Sequence, residues 1–519
     1  MEITRISTEQ FHAEMVKLRE KGFDLLRNLT GMDWQEEGLG AVYQLENTAT
    51  GENIAVSTSN TDREKPYIPS VCDIWKIAEF YEREAYDFLG IIFVGHPDMR
   101  RLFLRDDWKG FPLRKDYDAS EEINPIRMYD EPTVDDTVSY QVQKNGEVKA
   151  EKRVLFADDE YVINVGPQHP ATHGVLHFRL SLDGEIIKKA DMHCGYIHRG
   201  IEKINESLTY QQTLGLTDRL DYLSAMQNRH ALCMAIEKGL ELELTDRIQY
   251  IRTIMDELQR IDSHLLFFSC CAQDLGALTA FIYGFRDREK VLDLLEEVTG
   301  GRLIQTYNVI GGVQADITAG WAAKVKEFCK YLRPMIEEYN AVFTGNVIMH
   351  NRLKGVGVLS REDAIAFGCT GGTGRASGWA CDVRKRHPYA MYDKVDFKEI
   401  VYNNGDSFDR YMVRIDEMEQ SLRIIEQLID NIPEGDFKVK TKPIIKVPEG
   451  TYYAAVEGSR GEFGVFLESK GDKSPYRLKY RPMGLPLIAA MNTIVKGSKL
   501  ADLIAIGATL DYVIPDIDR

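Results

Sequence analysis

Apolar residues in the middle of this chain recur at steps of three and four positions, which is the spacing of one face of a helix. The longest run, from Asp246 to Phe268, predicts a helix with one buried stripe. Four shorter runs predict further helices over about 223–240, 287–299, 321–339 and 407–431. Helices should therefore dominate the centre of the fold.

Strand-like segments lie on both sides of this helical region. YVINVG, from Tyr161, and VLHFRLSLDG, from Val175, predict two strands joined by the loop PQHPATHG. Beyond Pro433 the segments TYYAAVEG, EFGVFLES and YRLKY predict more strands, followed by a short helix over about 486–495. Segregated runs of strands and helices are typical of the α+β class. We expect a β-sheet first, a helical bundle in the centre and a β-rich part last.

The first 115 residues have a pattern of their own. Apolar residues from Ile77 to Phe88 fall at helical spacing, between Asp73, which can cap a helix N-terminus, and Gly90, which suits a C-terminal cap. AVYQLENTAT before this helix and IIFVG after it resemble strands. These features predict a small α/β domain.

An acidic segment from Asp116 to Asp136 follows, and the polar stretch QVQKNGEVKAEKR comes after it. Such a composition buries little apolar surface and is typical of a linker. We therefore predict an α/β domain over 1–130, a linker crossed by few contacts over 131–160, and a larger domain over 161–519.

The composition limits the functions this chain can have. Its 519 residues are 44% apolar, which suffices for large cores, and its formal charge of -17 argues against nucleic acid, because phosphate binding needs a basic face. The eight cysteines include no Cys-x-x-Cys pair, so we expect reduced thiols in a cytoplasmic protein. The N-terminus has no secretory pattern, and no apolar run reaches the roughly 20 residues that span a bilayer.

Three positions in the larger part carry side chains suited to chemistry. Glycines at both ends of GPQHPATHG allow a tight hairpin with His169 and His173 at its tip. Tyr222 and Asp274 lie further along, Asp274 just after the long helix. Taken singly, each has a simpler interpretation: histidines that cap turn backbone, a core tyrosine and a helix-end carboxylate.

The segment DRLDYLSAMQNRH, from Asp218, resembles a motif of nickel-iron hydrogenase large subunits that carries Cys-x-x-Cys and a nearby His. In that family the two thiolates hold the nickel, a soft transition metal. Here the cysteine positions are Asp221 and Ser224. The last residues, DYVIPDIDR, stand where that family has its second Cys-x-x-Cys, and those positions are Val513 and Asp516. We therefore expect the chain to bind no metal of this kind.

The other relatives of this scaffold are the quinone-site subunits of respiratory complex I, which have a tyrosine inside the altered motif, where this chain has Tyr222. HCGYIHRGIEK, GEFGVFL, SPYR and the terminal DIDR also occur in the order of the bacterial D subunit, over about 161–519. EREAYDFLG, HPDMRR and FPLRKDY resemble the C subunit, over about 1–130, although composition alone would assign their charges to a solvated face. The resemblance implies a natural fusion of the two subunits.

The resemblance also implies a role for each candidate residue. His173 and Tyr222 would donate hydrogen bonds to a quinone headgroup, and Asp274 would hydrogen-bond His173 and favour its charged form. His169 would lie in the same cavity loop. Arg199 would face the terminal iron-sulfur cluster of a neighbouring subunit and raise the cluster's reduction potential. The substrate would be menaquinone or ubiquinone, and the chain itself would hold neither a metal nor a cluster.

Ile304, in GGRLIQTY, departs from the pattern, because many ubiquinone-using relatives have a histidine there, near the cluster. An isoleucine cannot take up a proton when the cluster is reduced. The cluster's potential should therefore be lower and nearly independent of pH, which favours an acceptor such as menaquinone.

The resemblance implies a subunit of a proton-pumping NADH:quinone oxidoreductase, on the cytoplasmic side of a bacterial inner membrane. Its partners would be the cluster-bearing B-type subunit, the ferredoxin-like I-type subunit and the membrane H-type subunit, and membrane contact would go through them. Two alternatives stay open: a nickel-iron hydrogenase large subunit, which metal analysis would reveal, and a scaffold that has lost its site. A ferredoxin-fed complex is a further possibility, because the donor docks on other subunits.

Overall fold

The computed structural model describes residues 1–118, 136–143, 147–168 and 173–519. Residues 1–118 form a four-stranded sheet in the order β1-β4-β3-β2, with β1 parallel to β4 and the other neighbours antiparallel. Two strands, β2 and β3, are buried along their whole length, so both faces of the sheet are covered. The elements are β1 Thr4–Arg5, α1 Thr8–Glu20, β2 Leu25–Asp33, β3 Leu39–Glu46, β4 Asn53–Asn60, β5 Tyr67–Pro69, α2 Ala78–Leu89 and β6 Ile92–Val94.

The predicted helix of this part is α2, but its start differs from the prediction. The helix begins at Ala78, and Asp73 does not cap it; the Asp73 carboxylate lies 3.0 Å from Nε2 of His12 instead. Gly90 ends α2 in the left-handed conformation, at φ 73°, as predicted. The charged residues of EREAYDFLG do not form a solvated face. They are buried: Glu82, Arg83, Glu84 and Asp87.

The predicted linker contains an antiparallel hairpin, β7 Asp136–Val142 and β8 Val148–Val154. Its backbone is bonded to the first part: the N–H groups of Gly95 and Met99 donate to the carbonyls of Tyr140 and Val138, at 3.1 and 2.5 Å. The expectation that few contacts cross this segment is therefore wrong for the hairpin. Edge strands form hydrogen bonds through their backbone N–H and C=O groups, which are present whatever the amino-acid composition, so composition could not reveal these contacts. The rest of the acidic stretch, 119–135, lies outside the described residues.

The larger part has the predicted order of strands, helices and strands. The predicted long helix is α6 (Asp246–Asp274), which ends later than predicted. The next helix, α7 (Leu278–Thr299), begins nine residues before its predicted start. Its first turns include the exposed apolar residues Leu278 and Ile282, which obscure the helical pattern of buried positions. The first sheet and the helices are β9 Tyr161–Val165, β10 His177–Asp183, β11 Ile186–His193, α3 Ile201–Asn205, α4 Tyr210–Thr217, α5 Ala225–Leu240, α6 Asp246–Asp274, α7 Leu278–Thr299, β12 Asn308–Val309, β13 Gly312–Val313, α8 Trp321–Tyr339, α9 Val347–Leu353, α10 Arg361–Phe367, α11 Gly371–Ala376, α12 Val383–Arg386 and α13 Ser407–Ile429.

The C-terminal sheet packs between the two parts of the chain. Its three strands are antiparallel in the order β14-β15-β16. Phe466 of β15 shares a hydrophobic cluster with Met32 and Val42 of the first sheet. The elements are β14 Gly450–Gly458, β15 Gly461–Ser469, β16 Arg477–Arg481, α14 Gly484–Val495, α15 Asp502–Leu510 and α16 Ile514–Asp518.

Buried ion pairs join the first part to the second. Glu84 of α2 contacts Lys479 of β16 and lies 3.1 Å from the guanidinium of Arg519. Arg519 and Arg477 also pair with Glu202, at 3.0 and 2.7 Å. The side chains of all five residues are at most 7% exposed. Residues 1–118 therefore do not pack as a separate body; they share a charged and apolar interior with the rest of the chain.

We expect Glu84→Gln to destabilise the protein strongly, because it leaves three buried cations with the single carboxylate of Glu202. Breaking a buried ion pair costs about 3–5 kcal/mol. The free energy of unfolding in urea would measure the loss. Glu14→Gln is the matched control, since the Glu14–Lys17 pair is exposed, at 41% and 59%, and should contribute below about 1 kcal/mol. Equal effects of the two substitutions would contradict the structural role of Glu84.

Candidate functional site

His173 is held against the C-terminal segment of the chain. Its carbonyl accepts a hydrogen bond from the N–H of Ile514 at 2.9 Å, and His173 forms a parallel bridge with Val513. Gly174 has φ 123°, and a Cβ there would lie 2.6 Å from the Ile514 side chain. The glycine at this end of the loop thus permits a close approach that no other residue allows. His169 lies outside the described residues.

Tyr222 lies in the turn before α5, where Asp221 fixes its backbone. The Asp221 carboxylate accepts a hydrogen bond from the N–H of Leu223 at 3.0 Å. The hydroxyl of Tyr222 is 3.1 Å from Nδ1 of His173, and the two rings meet edge to face. The structure therefore brings together the two residues that the family resemblance implies as joint ligands of a quinone headgroup.

Burial sets the protonation of this pair. It lowers the pKa of His173, and the nearby Arg460 lowers it further. Burial raises the pKa of Tyr222 to about 12, and the carboxylate of Asp221 adds to this shift. At neutral pH a phenol O–H then faces a neutral imidazole, so Tyr222 donates to Nδ1 and the imidazole proton is on Nε2. Both side chains can present an N–H or O–H donor to a ligand.

His173 opens onto a cavity between two helices, which we name the His173 cavity. Four of its lining residues lie on α6 at spacings of three and four, on one face of the helix. Others come from α15 and the turn after it, where Gly507 leaves room for the Tyr512 hydroxyl, 2.8 Å from an added Cβ. The lining residues are His173, Phe267, Cys270, Cys271, Asp274, Gly507, Ala508, Asp511 and Tyr512.

Asp274 lines the His173 cavity but does not make the predicted hydrogen bond. Among the described residues, Nδ1 of His173 is bonded to Tyr222, and Asp274 has no hydrogen bond to His173. The expectation that Asp274 favours a charged His173 is also wrong here, because burial lowers that pKa and the carboxylates that oppose this shift are Asp511 and Asp221. Burial raises the pKa of Asp274 itself to about 6.

The four positions of the altered cysteine motifs are all buried: Asp221, Ser224, Val513 and Asp516. Arg460 links the two segments that carry them. Its guanidinium donates to the carboxylates of Asp221 at 3.0 Å and Asp511 at 3.1 Å. A fixed cation at this place opposes the binding of a metal cation. Sequence reasoning missed Arg460, although it directly precedes the GEFGVFL motif.

Arg199 is exposed. Its guanidinium donates to the carbonyls of Arg219 and Pro515, at 3.1 and 3.2 Å, which hold it in one orientation. Ile304 is half-buried and has φ 54°, in the left-handed region that β-branched residues rarely adopt. Cys194 is buried.

A second group of possible metal ligands lies in the first part: Cys72, Glu82 and His96. Both nitrogens of His96 already have partners. Nδ1 accepts from the N–H of Asp98 and Nε2 donates to the carbonyl of Glu79, each at 2.9 Å. The hydrogen bonds therefore leave the imidazole without a free lone pair for a metal.

Comparison with known families decides the assignment. The family model described as respiratory-chain NADH dehydrogenase, 49 Kd subunit, matches residues 274–445 and 436–519, and that of the 30 Kd subunit matches residues 4–122. The C/D subunit of NADH-quinone oxidoreductase from Phocaeicola vulgatus is 71% identical over 515 residues, 99% of each chain. The chain belongs to the C/D-subunit family of NADH-quinone oxidoreductases.

Other relatives agree with a fused architecture. The C/D subunit from Bacteroides thetaiotaomicron is 66% identical over 529 residues and covers 100% of both chains. The D subunit of NADH-quinone oxidoreductase from Bacillus mycoides is 44% identical over 365 residues, which is 70% of this chain and 100% of that protein. The resemblance to the C and D subunits is therefore confirmed. In the part of the chain that the structure describes, no helix is both long and apolar enough to cross a bilayer.

We expect Asp274 to titrate near pH 6 in the folded protein. Because its folded pKa is raised above the usual value of about 3.9, protonation favours the folded state, and this contribution is lost as pH rises from about 4 to about 6. The difference between the melting temperature of the parent and that of Asp274→Asn should therefore decrease as the pH rises from about 4 to about 6. A difference in melting temperature between the parent and Asp274→Asn that stays constant with pH would contradict the raised pKa.

Proposed function

We propose that this chain is a peripheral-arm subunit of a proton-pumping NADH:quinone oxidoreductase and forms one wall of its quinone-reduction site. The observation that carries the proposal is the Tyr222–His173 pair at the edge of the His173 cavity. The names of its C/D relatives supply the electron donor and the class of acceptor. Arg460 beside Asp221 disfavours the hydrogenase alternative.

The chemistry of the pair suits a quinone headgroup. Two-electron reduction of a quinone ends with a proton on each of its two oxygens, so each oxygen needs a donor that can be reprotonated. The hydroxyl of Tyr222 and the Nε2–H of His173 are such donors, and the hydroxyl now donates to Nδ1 of His173. A headgroup would take over the Tyr222 hydrogen bond. Asp274, with a pKa of about 6 in the same cavity, can hold a further proton near neutral pH.

Electrons would arrive from an iron-sulfur cluster held by a B-type neighbour. Arg199, exposed and held by two backbone carbonyls, would face that cluster and raise its reduction potential. The I-type and H-type subunits would complete the surroundings of the cavity. The chain would then lie on the cytoplasmic side of the bacterial membrane and contact it only through partners.

We expect Tyr222→Phe to lower quinone reductase activity of the assembled complex by roughly 10- to 1000-fold, because a positioned donor is lost while the ring packing stays. Activity with a soluble quinone, measured on the purified complex, would test this. Tyr161→Phe is the control, because that tyrosine is 66% exposed and lies on β9, away from the cavity. Parental activity of Tyr222→Phe would refute the role of the phenol.

Ile304 should affect the reduction potential of the neighbouring cluster, because it stands where many relatives have a histidine. In the parent complex the potential should hardly change with pH. Ile304→His should introduce a slope that approaches about 59 mV per pH unit, since histidine can bind a proton on reduction. Histidine also tolerates the left-handed backbone of position 304 better than isoleucine does. Redox titration by electron paramagnetic resonance would decide it, and a steep slope in the parent would contradict the assignment.

A further inference from the structure

The larger part contains a second histidine-tyrosine pair, in which His230 lies eight residues after Tyr222 and Tyr389 comes from a distant segment. The rings of His230 and Tyr389 meet edge to face, with centroids 5.5 Å apart and an interplanar angle of 77°. The rings of His173 and Tyr222 have nearly the same relation, at 6.3 Å and 73°. Neither the family resemblance nor the proposed function uses the second pair.

His230 also has the carboxylate partner that His173 lacks. Its Nδ1 lies 2.6 Å from the carboxylate of Asp256 on α6. Both side chains are buried, His230 at 1% and Asp256 at 0% exposure. Among the described residues, Nε2 of His230 has no hydrogen-bond partner. Because His230 lines a cavity, Nε2 can take its hydrogen bond from a ligand that enters there.

His230 lines a cavity of about 410 Å³. We name it the His230 cavity. This volume lies within the range of about 300–1,000 Å³ that is usual for small-molecule sites. Met234, Leu242 and Pro388 supply apolar wall, and the ring of Tyr389 supplies a flat one.

The charges in this wall are largely neutralised by one another. Glu237 pairs with Arg252 at 2.7 Å, and Arg27 pairs with Glu462 at 2.9 Å. At the exposed rim Lys238 and Glu241 carry opposite charges. A ligand that enters the cavity therefore meets no net charge, so an uncharged molecule with an apolar body fits best.

We propose that the His230 cavity binds a phenol group, with its hydroxyl on Nε2 of His230 and its ring beside Tyr389. A hydroxyl group can both donate and accept a hydrogen bond. It can therefore donate to Nε2 when the imidazole is neutral, and accept from the Nε2–H when the imidazole is charged and paired with Asp256. An aromatic ring gains by edge or offset contact with another ring. The group could come from a free phenolic compound or from a tyrosine of another subunit.

Binding would strengthen the contact between the two parts of the chain. Arg27, from β2, forms part of the wall, whereas the other wall residues named above come from the larger part. A ligand held between the first part and the larger part of the chain binds only when these two parts are packed together. It should therefore raise the melting temperature of the full chain.

The probe is p-cresol, which is a free phenol and also the side chain of tyrosine; 4-methylanisole, in which the hydroxyl is methylated, is its matched control. Binding to the purified full chain would be measured by calorimetry and saturation-transfer NMR. We expect 4-methylanisole to bind at least tenfold more weakly than p-cresol, because it cannot donate to Nε2.

Three variants locate the site. His230→Leu should weaken p-cresol binding at least tenfold, and Ala455→Leu, which fills the cavity without touching the His230–Asp256 pair, should do the same. Tyr222→Phe, at the other pair, should bind p-cresol like the parent. Melting curves would show that each variant is folded.

The same titration on the assembled complex separates the two sources. Binding to the complex, sensitive to His230→Leu, indicates a free phenolic ligand, whereas binding to the isolated chain alone indicates that a tyrosine of a partner occupies the cavity. The proposal is overturned if p-cresol does not bind at millimolar concentration to either form. It is equally overturned if His230→Leu and Ala455→Leu bind p-cresol as the parent does.

Discussion

The candidate site depends on one buried guanidinium, that of Arg460. It donates to the side chain of Asp221, to the hydroxyl of Ser263 on α6, and to both the carboxylate and the carbonyl of Asp511. These contacts join the turn that carries Tyr222 to the C-terminal segment that holds His173. Fully buried charges are tolerated only when they are paired and hydrogen-bonded, so removal of Asp221 or Asp511 would leave the Arg460 charge only partly compensated in the interior. The same pairing raises the pKa of Arg460, which is therefore charged at all physiological pH values.

Helix α6 connects the two cavities. Asp256, which orients His230, and Asp274, at the rim of the His173 cavity, lie 18 residues apart on this helix, about 27 Å at 1.5 Å per residue. Nearly every side chain between them is buried. A helix packed on all sides behaves as a rigid rod, so the positions of the two carboxylates are fixed relative to each other. The two histidines differ in the partner of Nδ1. In His230 it is the carboxylate of Asp256, and in His173 it is the hydroxyl of Tyr222.

The charges at the junction of the two parts follow the same rule as Arg460. In EREAYDFLG the partners of Asp87 lie within the first part, whereas those of Glu84 come from the larger part. Asp87 accepts hydrogen bonds from the backbone N–H groups of 102–104 and pairs with Arg101, while Glu84 meets Lys479 and Arg519. Such pairs specify one arrangement of the two parts, since any other arrangement would leave charges unpaired. A fusion of two polypeptides on this scaffold thus retains a tightly specified interface.

The sequence by itself determined the elements whose pattern is local and periodic. The predicted range of α8 coincides with the observed one and that of α13 ends two residues late, whereas α6 continues six residues beyond its predicted end. The altered cysteine motifs marked the segments that carry Tyr222 and Val513. Only the tertiary structure decided what each polar side chain contacts. Arg460, Asp511 and Cys270 lie at the site because three segments distant in sequence meet there, and no local pattern encodes that meeting. The expected Asp274–His173 hydrogen bond failed for the same reason: the sequence placed both residues at one cavity, but the direction of each side chain and the competing hydroxyl of Tyr222 depend on packing.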